Sequence, residues 1–237
     1  MPTLLFYYMF MQRPHLLGAN SIEGYMKQIL VEVILFDLGN VILPFNHYQI
    51  AEKLSRFSKK EEFQDPQRIF AYLFNFDNGA VNGYEVGKVS SLEYFQSLKE
   101  SLYLEISFED FIPIWNDIFW ENFEVSEIIR SLKGKNRLGL LSNTNPLHFD
   151  YILSKFPVIR VFDQWILSHE FGFKKPAIEI YQRAIEWASV EPKRILFIDD
   201  MKKHVEVAVS LGMQGILFIS AQQLKEELDI KLNENYF

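Results

Sequence analysis

Five short apolar runs, separated by stretches with a helical period, constrain this 237-residue chain more than any other feature. They are Val31–Phe36 (VEVILF), Leu138–Leu141 (LGLL), Trp165–Leu167 (WIL), Ile195–Ile198 (ILFI) and Gly215–Ile219 (GILFI). Runs that are apolar at nearly every position read as strands buried on both faces, as in a parallel sheet. Between Pro176 and Ala188, Ile178, Tyr181, Ile185 and Ala188 fall at steps of three and four, which makes one apolar helical stripe. Pro176 suits the first helical position, where its missing N–H costs nothing. Strand and helix alternating in this way predict an α/β fold, a doubly wound (Rossmann-like) parallel sheet with right-handed crossovers.

One region breaks the alternation. Residues 48–132 hold no convincing strand but several helical patterns, among them Ile69-Phe70-Leu73-Phe74, Leu92-Phe95-Leu98 and Phe111-Ile114-Trp115-Ile118-Phe119. Asn82-Gly83 and Gly87 punctuate it. This is too long for a crossover between neighbouring strands, so it reads as an inserted helical cap domain. The core domain is then 26–47 together with 133–237, and residues 1–25 are an N-terminal extension. Leu4–Met11 (LLFYYMFM) is far shorter than the ~20 residues that span a bilayer. It lacks a preceding cationic region and a clear cleavage site, so translation starting at Met26, or an N-terminal arm, is expected rather than a membrane role.

Composition narrows the chemistry. Hydrophobic residues make up 49% and aromatics 16%, including 22 Phe, so a sizeable core is available. The chain has no cysteine, which excludes disulfides, a thiol nucleophile, Cys-ligated zinc and iron–sulfur clusters. With 24 Lys plus Arg against 31 Asp plus Glu, the net charge of −7 argues against nucleic acid as a partner. A cytoplasmic globular protein is the expectation.

Ligands of open α/β sheets bind beyond the carboxyl ends of the strands. At those ends stand Asp37, Ser142-Asn143, Lys174-Lys175 and Asp199-Asp200. Free carboxylate oxygens suit a hard cation such as Mg²⁺, and an ammonium suits phosphate while offsetting carboxylate repulsion. Each residue also has a plainer reading. Asp37 can cap the turn after its strand, and Ser142 can cap a helix beginning near Pro146. Of two adjacent lysines, one is a solvated surface charge. Two adjacent acids after a strand repel without a cation or donor, which favours a metal site at Asp199-Asp200. Tyr84, Glu85, Gly87 and Trp115 read as packing and helix-end residues.

Four segments carry a family resemblance: FDLGNV (Phe36–Val41), LLSNTN (Leu140–Asn145), GFKKPAIEIY (Gly172–Tyr181) and FIDDMKKHVEVAVSLGM (Phe197–Met213). In this order they resemble a haloacid dehalogenase superfamily hydrolase of the helical-cap branch. Within it the chain is similar to the phosphatase-like group related to the N-terminal domain of soluble epoxide hydrolase. The resemblance implies a Mg²⁺-dependent phosphomonoester hydrolase of a small phosphorylated metabolite. Asp37 would be the nucleophile and form an aspartyl-phosphate, and Lys175 would neutralise charge around it. Ser142 and the backbone N–H of Asn143 would bind phosphate oxygens. Mg²⁺ would be held by Asp37, the carbonyl of Gly39 and Asp200. Asp199 and His204 would stand behind these ligands, and Lys174 would be the solvated lysine.

The chain also departs from the family pattern. Two residues after the nucleophile, where that pattern has a proton-donating aspartate, stands Gly39. General acids contribute typically ~10²–10⁴ in rate, so alkyl phosphates should react slowly and aryl, acyl or anomeric sugar phosphates less so. His47 is a possible substitute acid, but as a residue of the loop after the first strand it reads as a surface histidine. His204 replaces an Asp or Asn, and Ala177 replaces an acid or small residue after Lys-Pro. These departures motivate an alternative, a catalytically silent phosphate-ligand binding or regulatory protein, for which Gly39→Asp is a discriminating change. A third reading, 2-haloacid dehalogenation, needs no metal and fits poorly with the Asp199-Asp200 pair.

Overall fold

The computed structural model describes residues 30–75 and 77–233, and the expectations for 1–25, Leu4–Met11 and Met26 lie outside the described residues. The five apolar runs form five parallel strands: β1 (Val33–Phe36), β2 (Arg137–Ser142), β3 (Gln164–Leu167), β4 (Ile195–Asp199) and β5 (Gln214–Leu217). They make one sheet in the order β3-β2-β1-β4-β5, as the α/β reading requires. Side chains of a strand alternate between faces, and here both faces are covered. Ile34 and Phe36 join Leu138, Leu140, Leu196 and Ile198 on one face. Val33 and Leu35 join Leu141, Ile166, Ile195 and Phe197 on the other. Helices Phe123–Leu132, Pro146–Lys155 and Ala221–Asn233 cover the first face, and Ile178–Ala188 and Lys202–Ser210 cover the second. Among the described residues, no helix is long and apolar enough to cross a membrane.

Two local expectations need correction. Ala177 is the extended N-cap residue of helix Ile178–Ala188, so Pro176 lies outside the first turn. The buried stripe of that helix is Ile180, Tyr181, Ala184 and Ala188, while Ile178 is exposed. Apolar residues at 178, 180 and 181 permit two stripes of helical period. The one built on the small Ala184 packs against the sheet.

Between β1 and β2, helices Tyr48–Ser55, Pro66–Phe74, Val81–Glu85, Ser91–Ser101 and Phe108–Asn116 gather around their own apolar cluster. Trp115, Tyr84 and Phe111 are fully buried in it. Sequence punctuates these helices where a capping side chain can satisfy the first free N–H groups. Asp65 accepts from Gln67 N with Pro66 behind it, Ser90 forms a capping box with Glu93, and Ser107 accepts from Asp110 N. Asn82-Gly83, read as punctuation, instead lies inside Val81–Glu85. Helix Phe123–Leu132 directs Val125, Ile129 and Leu132 into the cluster on the sheet rather than into the helical one.

The helical layer is tied to the sheet in two ways. The two connecting segments run side by side, with Asn46 N donating to Ile118 O (3.1 Å), Trp120 N to Pro44 O (3.1 Å) and Asn122 N to Ile42 O (3.0 Å). On the far side, Lys174 Nζ donates to Asn82 Oδ1 (2.6 Å) and Glu85 Oε2 (2.7 Å). Lys174 is therefore no solvated charge: it is half-buried because helix Val81–Glu85 docks over it. Gly87 completes this contact with φ +67°, and a Cβ there would sit 2.2 Å from the His169 carbonyl oxygen. Gly83, one turn earlier, has open space around the same position. Gly87→Ala should therefore destabilise the protein by about 1–3 kcal/mol, through left-handed strain and the lost close approach. Gly83→Ala should stabilise it by up to about 1 kcal/mol, because alanine is the better helix former. Urea unfolding of the two variants side by side checks both signs.

Candidate active site

Register brings the acids together. Phe36 pairs with Ile198, so the next residues, Asp37 and Asp199, emerge level from β1 and β4. The N–H of Asp37 donates to Ile198 O at 2.8 Å. On the other side Phe36 pairs with Leu140, which sets Ser142, at the end of β2, one step beyond Asp37. Lys175 arrives from the loop after helix Ser168–Phe171 and donates from one ammonium to Asp37 Oδ1 (2.6 Å) and Asp199 Oδ2 (2.7 Å). Its side chain is only 1% exposed.

Each member of this group is held from outside. Asn143 fixes the lysine loop with both ends of its amide, accepting from Lys175 N (2.7 Å) and donating to Lys175 O (2.9 Å). Asp199 accepts from Met201 N (2.8 Å), and His204 Nδ1 lies 3.1 Å from both of its oxygens. Tyr181 OH donates to the His204 carbonyl at 3.1 Å. Asn40 Nδ2 donates to Asp200 Oδ2 at 3.2 Å. Asn40 takes φ 57°, a left-handed conformation that asparagine tolerates better than most side chains.

Three carboxylates meet one ammonium here, an excess of two negative charges when all are ionised. Burial pushes the Asp37 carboxyl up to about 7, with Lys175 pulling it down and the charges of Asp199 and Asp200 pushing it further up. Burial acts to raise Asp199 as well, but Lys175 and His204 outweigh it and hold the group below the usual carboxylate range. Burial raises Asp200, only partly countered by Asn40. Lys175 is held above its ordinary value because Asp37 and Asp199 overcome the cost of its burial. Oxygens of Asp37, Asp199 and Asp200 lie within 4.8 Å of one another, a hard-oxygen set that fits a Mg²⁺ ion. Asp199 is already engaged by Lys175, Met201 N–H and His204, whereas Asp200 has Asn40 alone among these partners.

The other predicted residues divide. Ser142 is buried, with its hydroxyl 3.4 Å from the Asn143 carbonyl, and it does not cap the next helix; Asn145 does, accepting from His148 N. Asp37 does not cap a turn but faces Lys175. Tyr84 and Trp115 are packed in the helical layer, where Trp115 Nε1 donates to Asn145 Oδ1 at 3.3 Å. His47 is not a surface histidine. Its ring stacks on Phe74 (4.2 Å, 4°) and against Phe45 (4.4 Å), and burial lowers its pKa to about 4. Gly39 lies in the turn beside Leu43, and the Phe45 ring rests against it. Asn40, the side-chain role of Asn143, and Phe45 escaped the sequence reading. The Asn that follows Gly39 in the turn after an apolar strand was the available signal for the first.

Comparison with known proteins gives a consistent picture. A family described as haloacid dehalogenase-like hydrolase matches residues 31–212. D-ribitol-5-phosphate phosphatase of Bacteroides thetaiotaomicron is 26% identical over 86% of this chain and 100% of that relative. The chloroplast flavin mononucleotide hydrolase 1 of Arabidopsis thaliana is 23% identical over 92% of this chain and 84% of that protein. A Bacteroides thetaiotaomicron enzyme solved with magnesium and inorganic phosphate superposes with a TM-score of 0.69 at 25% identity, covering 78% of this chain and 93% of that one.

The raised pKa of Asp37 has a definite sign. Between about pH 4 and 7 the folded, cation-free protein binds more protons at this group than the unfolded chain does, so its contribution to stability falls as pH rises through that window. A cation bound there competes with the proton. Saturating Mg²⁺ should therefore raise the melting temperature by several degrees at pH 8, a gain on the order of 2–3 kcal/mol, and by much less at pH 5. Asp200→Asn should shrink the pH 8 shift in a thermal melt. An undiminished shift would put the ion elsewhere.

Proposed function

The chain belongs to the haloacid dehalogenase-like hydrolases, and from that premise we propose that it is a Mg²⁺-dependent phosphomonoester hydrolase of a small phosphorylated metabolite, acting through Asp37. The observation that carries this reading is Lys175, one buried ammonium held between Asp37 and Asp199 at the carboxyl edge of the sheet. That arrangement leaves Asp37 oriented at the strand end, beside a cation that can offset charge on a phosphoryl group. The names of its relatives, phosphatases of ribitol 5-phosphate and of phosphorylated carbohydrates, support a small phosphorylated compound as substrate and leave its leaving group open. The acidic pair Asp199-Asp200 beside Asp37 favours phosphoryl over haloacid chemistry.

The steps follow from the residues. Asp37 attacks phosphorus, and the bond to the leaving oxygen breaks as the aspartyl-phosphate forms. Water then attacks phosphorus and returns Asp37 as a carboxylate. Ser142 and the N–H of Asn143 receive phosphoryl oxygens, and Lys175 neutralises the charge shared between them and Asp37. Asp37, the Gly39 carbonyl and Asp200 would hold Mg²⁺, which when bound supplies further positive charge to the phosphate. Asp199 and His204 act from behind: His204 orients Asp199, and Asp199 anchors Lys175. The helical layer over the site excludes water and shapes the space for the leaving group.

A panel of phosphate esters with added Mg²⁺ should give phosphate release that falls at least ~10³-fold in Asp37→Asn. Turnover surviving that change removes the nucleophile. Mg²⁺-assisted ligand binding without turnover, even of p-nitrophenyl phosphate, would favour a silent binding protein instead, a reading to which the Phe45 ring over Gly39 lends weight.

A further inference from the structure

The turn after Asp37 meets hydrocarbon where a proton donor would be useful. A Cβ built on Gly39 would lie 2.7 Å from Phe45 Cε1, 3.5 Å from Cδ1 and 3.7 Å from Cζ. The phenyl ring therefore fills the space that any side chain at position 39 would enter. It is braced from behind. Phe45 bridges to Phe119 through the backbone, its ring lies 5.9 Å from that of Phe119 and 4.4 Å from that of His47, and His47 stacks on Phe74. His47, half-buried among these rings, is a neutral imidazole near neutral pH and no longer an imidazolium acid, because burial lowers its pKa to about 4. Lys175 donates to Asp37 itself and to Asp199, Asn40 donates to Asp200, and Asn143 serves the lysine backbone.

We propose that Phe45 is a specificity-determining residue: seated against Gly39, it denies the leaving oxygen a proton donor and confines the enzyme to phosphate esters of weakly basic leaving groups, aryl phosphates foremost. The inference rests on the phosphomonoesterase reading and narrows its substrate. The Asp37–phosphorus bond forms while the phosphorus–oxygen bond breaks, and the electron pair leaves with the oxygen as an anion that takes its proton from water afterwards. A leaving group bears that charge unaided only if its conjugate acid is comparatively acidic, as a phenol is beside an aliphatic alcohol. Gly39→Asp alone is then a poor probe of latent competence, because its Cβ already meets the ring.

The test is the dependence of kcat/KM on leaving-group pKa, measured with Mg²⁺ on the wild-type protein. Substituted phenyl phosphates supply the series, with glycerol phosphate as the alkyl member. Rates should fall by roughly tenfold per pKa unit, the limit of an oxygen leaving with full charge. A flat dependence, or glycerol phosphate cleaved as fast as phenyl phosphate, overturns the proposal and leaves the phosphatase reading standing. Failure to release phosphate from any ester removes the phosphatase reading itself. Gly39→Asp combined with Phe45→Ala should flatten the slope, and a folded double variant that keeps the wild-type slope contradicts the role given to Phe45.

Discussion

Lys175 puts one ammonium between the carboxylates of Asp37 and Asp199, and much of the site is arranged to keep it there. Adjacent parallel strands in register bring those two acids level, so their charges face each other at the sheet edge. Taking an ion out of water costs several kcal/mol, and an uncompensated pair of buried like charges would cost more. The lysine answers that cost only if its backbone is immobile, which explains the two-ended grip of Asn143. It still leaves the group two positive charges short once Asp200 is counted. A divalent cation is the natural complement; burial first, and the charges of Asp199 and Asp200 second, hold the Asp37 carboxyl high.

The neighbouring residue couples this site to the helical layer. Lys174 reaches out to Asn82 and Glu85 while Lys175 reaches in to Asp37 and Asp199. One loop thus carries both the tether of the layer and the charge of the site. The mutually packed aromatic side chains Phe45, His47 and Phe74 come from the connection after β1 and from the first helices of the layer. In the proposed reading, chemistry belongs to the sheet edge and discrimination to the inserted helices. Relatives with different named substrates fit that separation.

Much of this is legible in the sequence. Val33–Phe36 and Ile195–Asp199 are apolar without alternation because both faces of the sheet are covered, and that pattern alone announces a parallel strand. The acids at the ends of those strands follow from position. Harder to read were side chains whose partners are distant in sequence. Lys174 and Lys175 are identical in composition and adjacent, yet one meets residues 82 and 85 and the other residues 37 and 199. His47 looked solvent-facing because it stands in a loop, but Phe74 comes to cover it only when helix Pro66–Phe74 folds back.

By itself, then, the order of residues determined the strands, their helical partners, the insertion between β1 and β2, and the chemical types gathered at one edge. These depend on local periodicity and on the rule that strand ends converge. Tertiary structure alone decided which oxygen Lys175 touches, that Asn143 serves the lysine loop through its side chain, and that Phe45 fills the space beside Gly39. Those are distances between groups many residues apart, set by packing to within a fraction of an ångström, and no one-dimensional pattern encodes them.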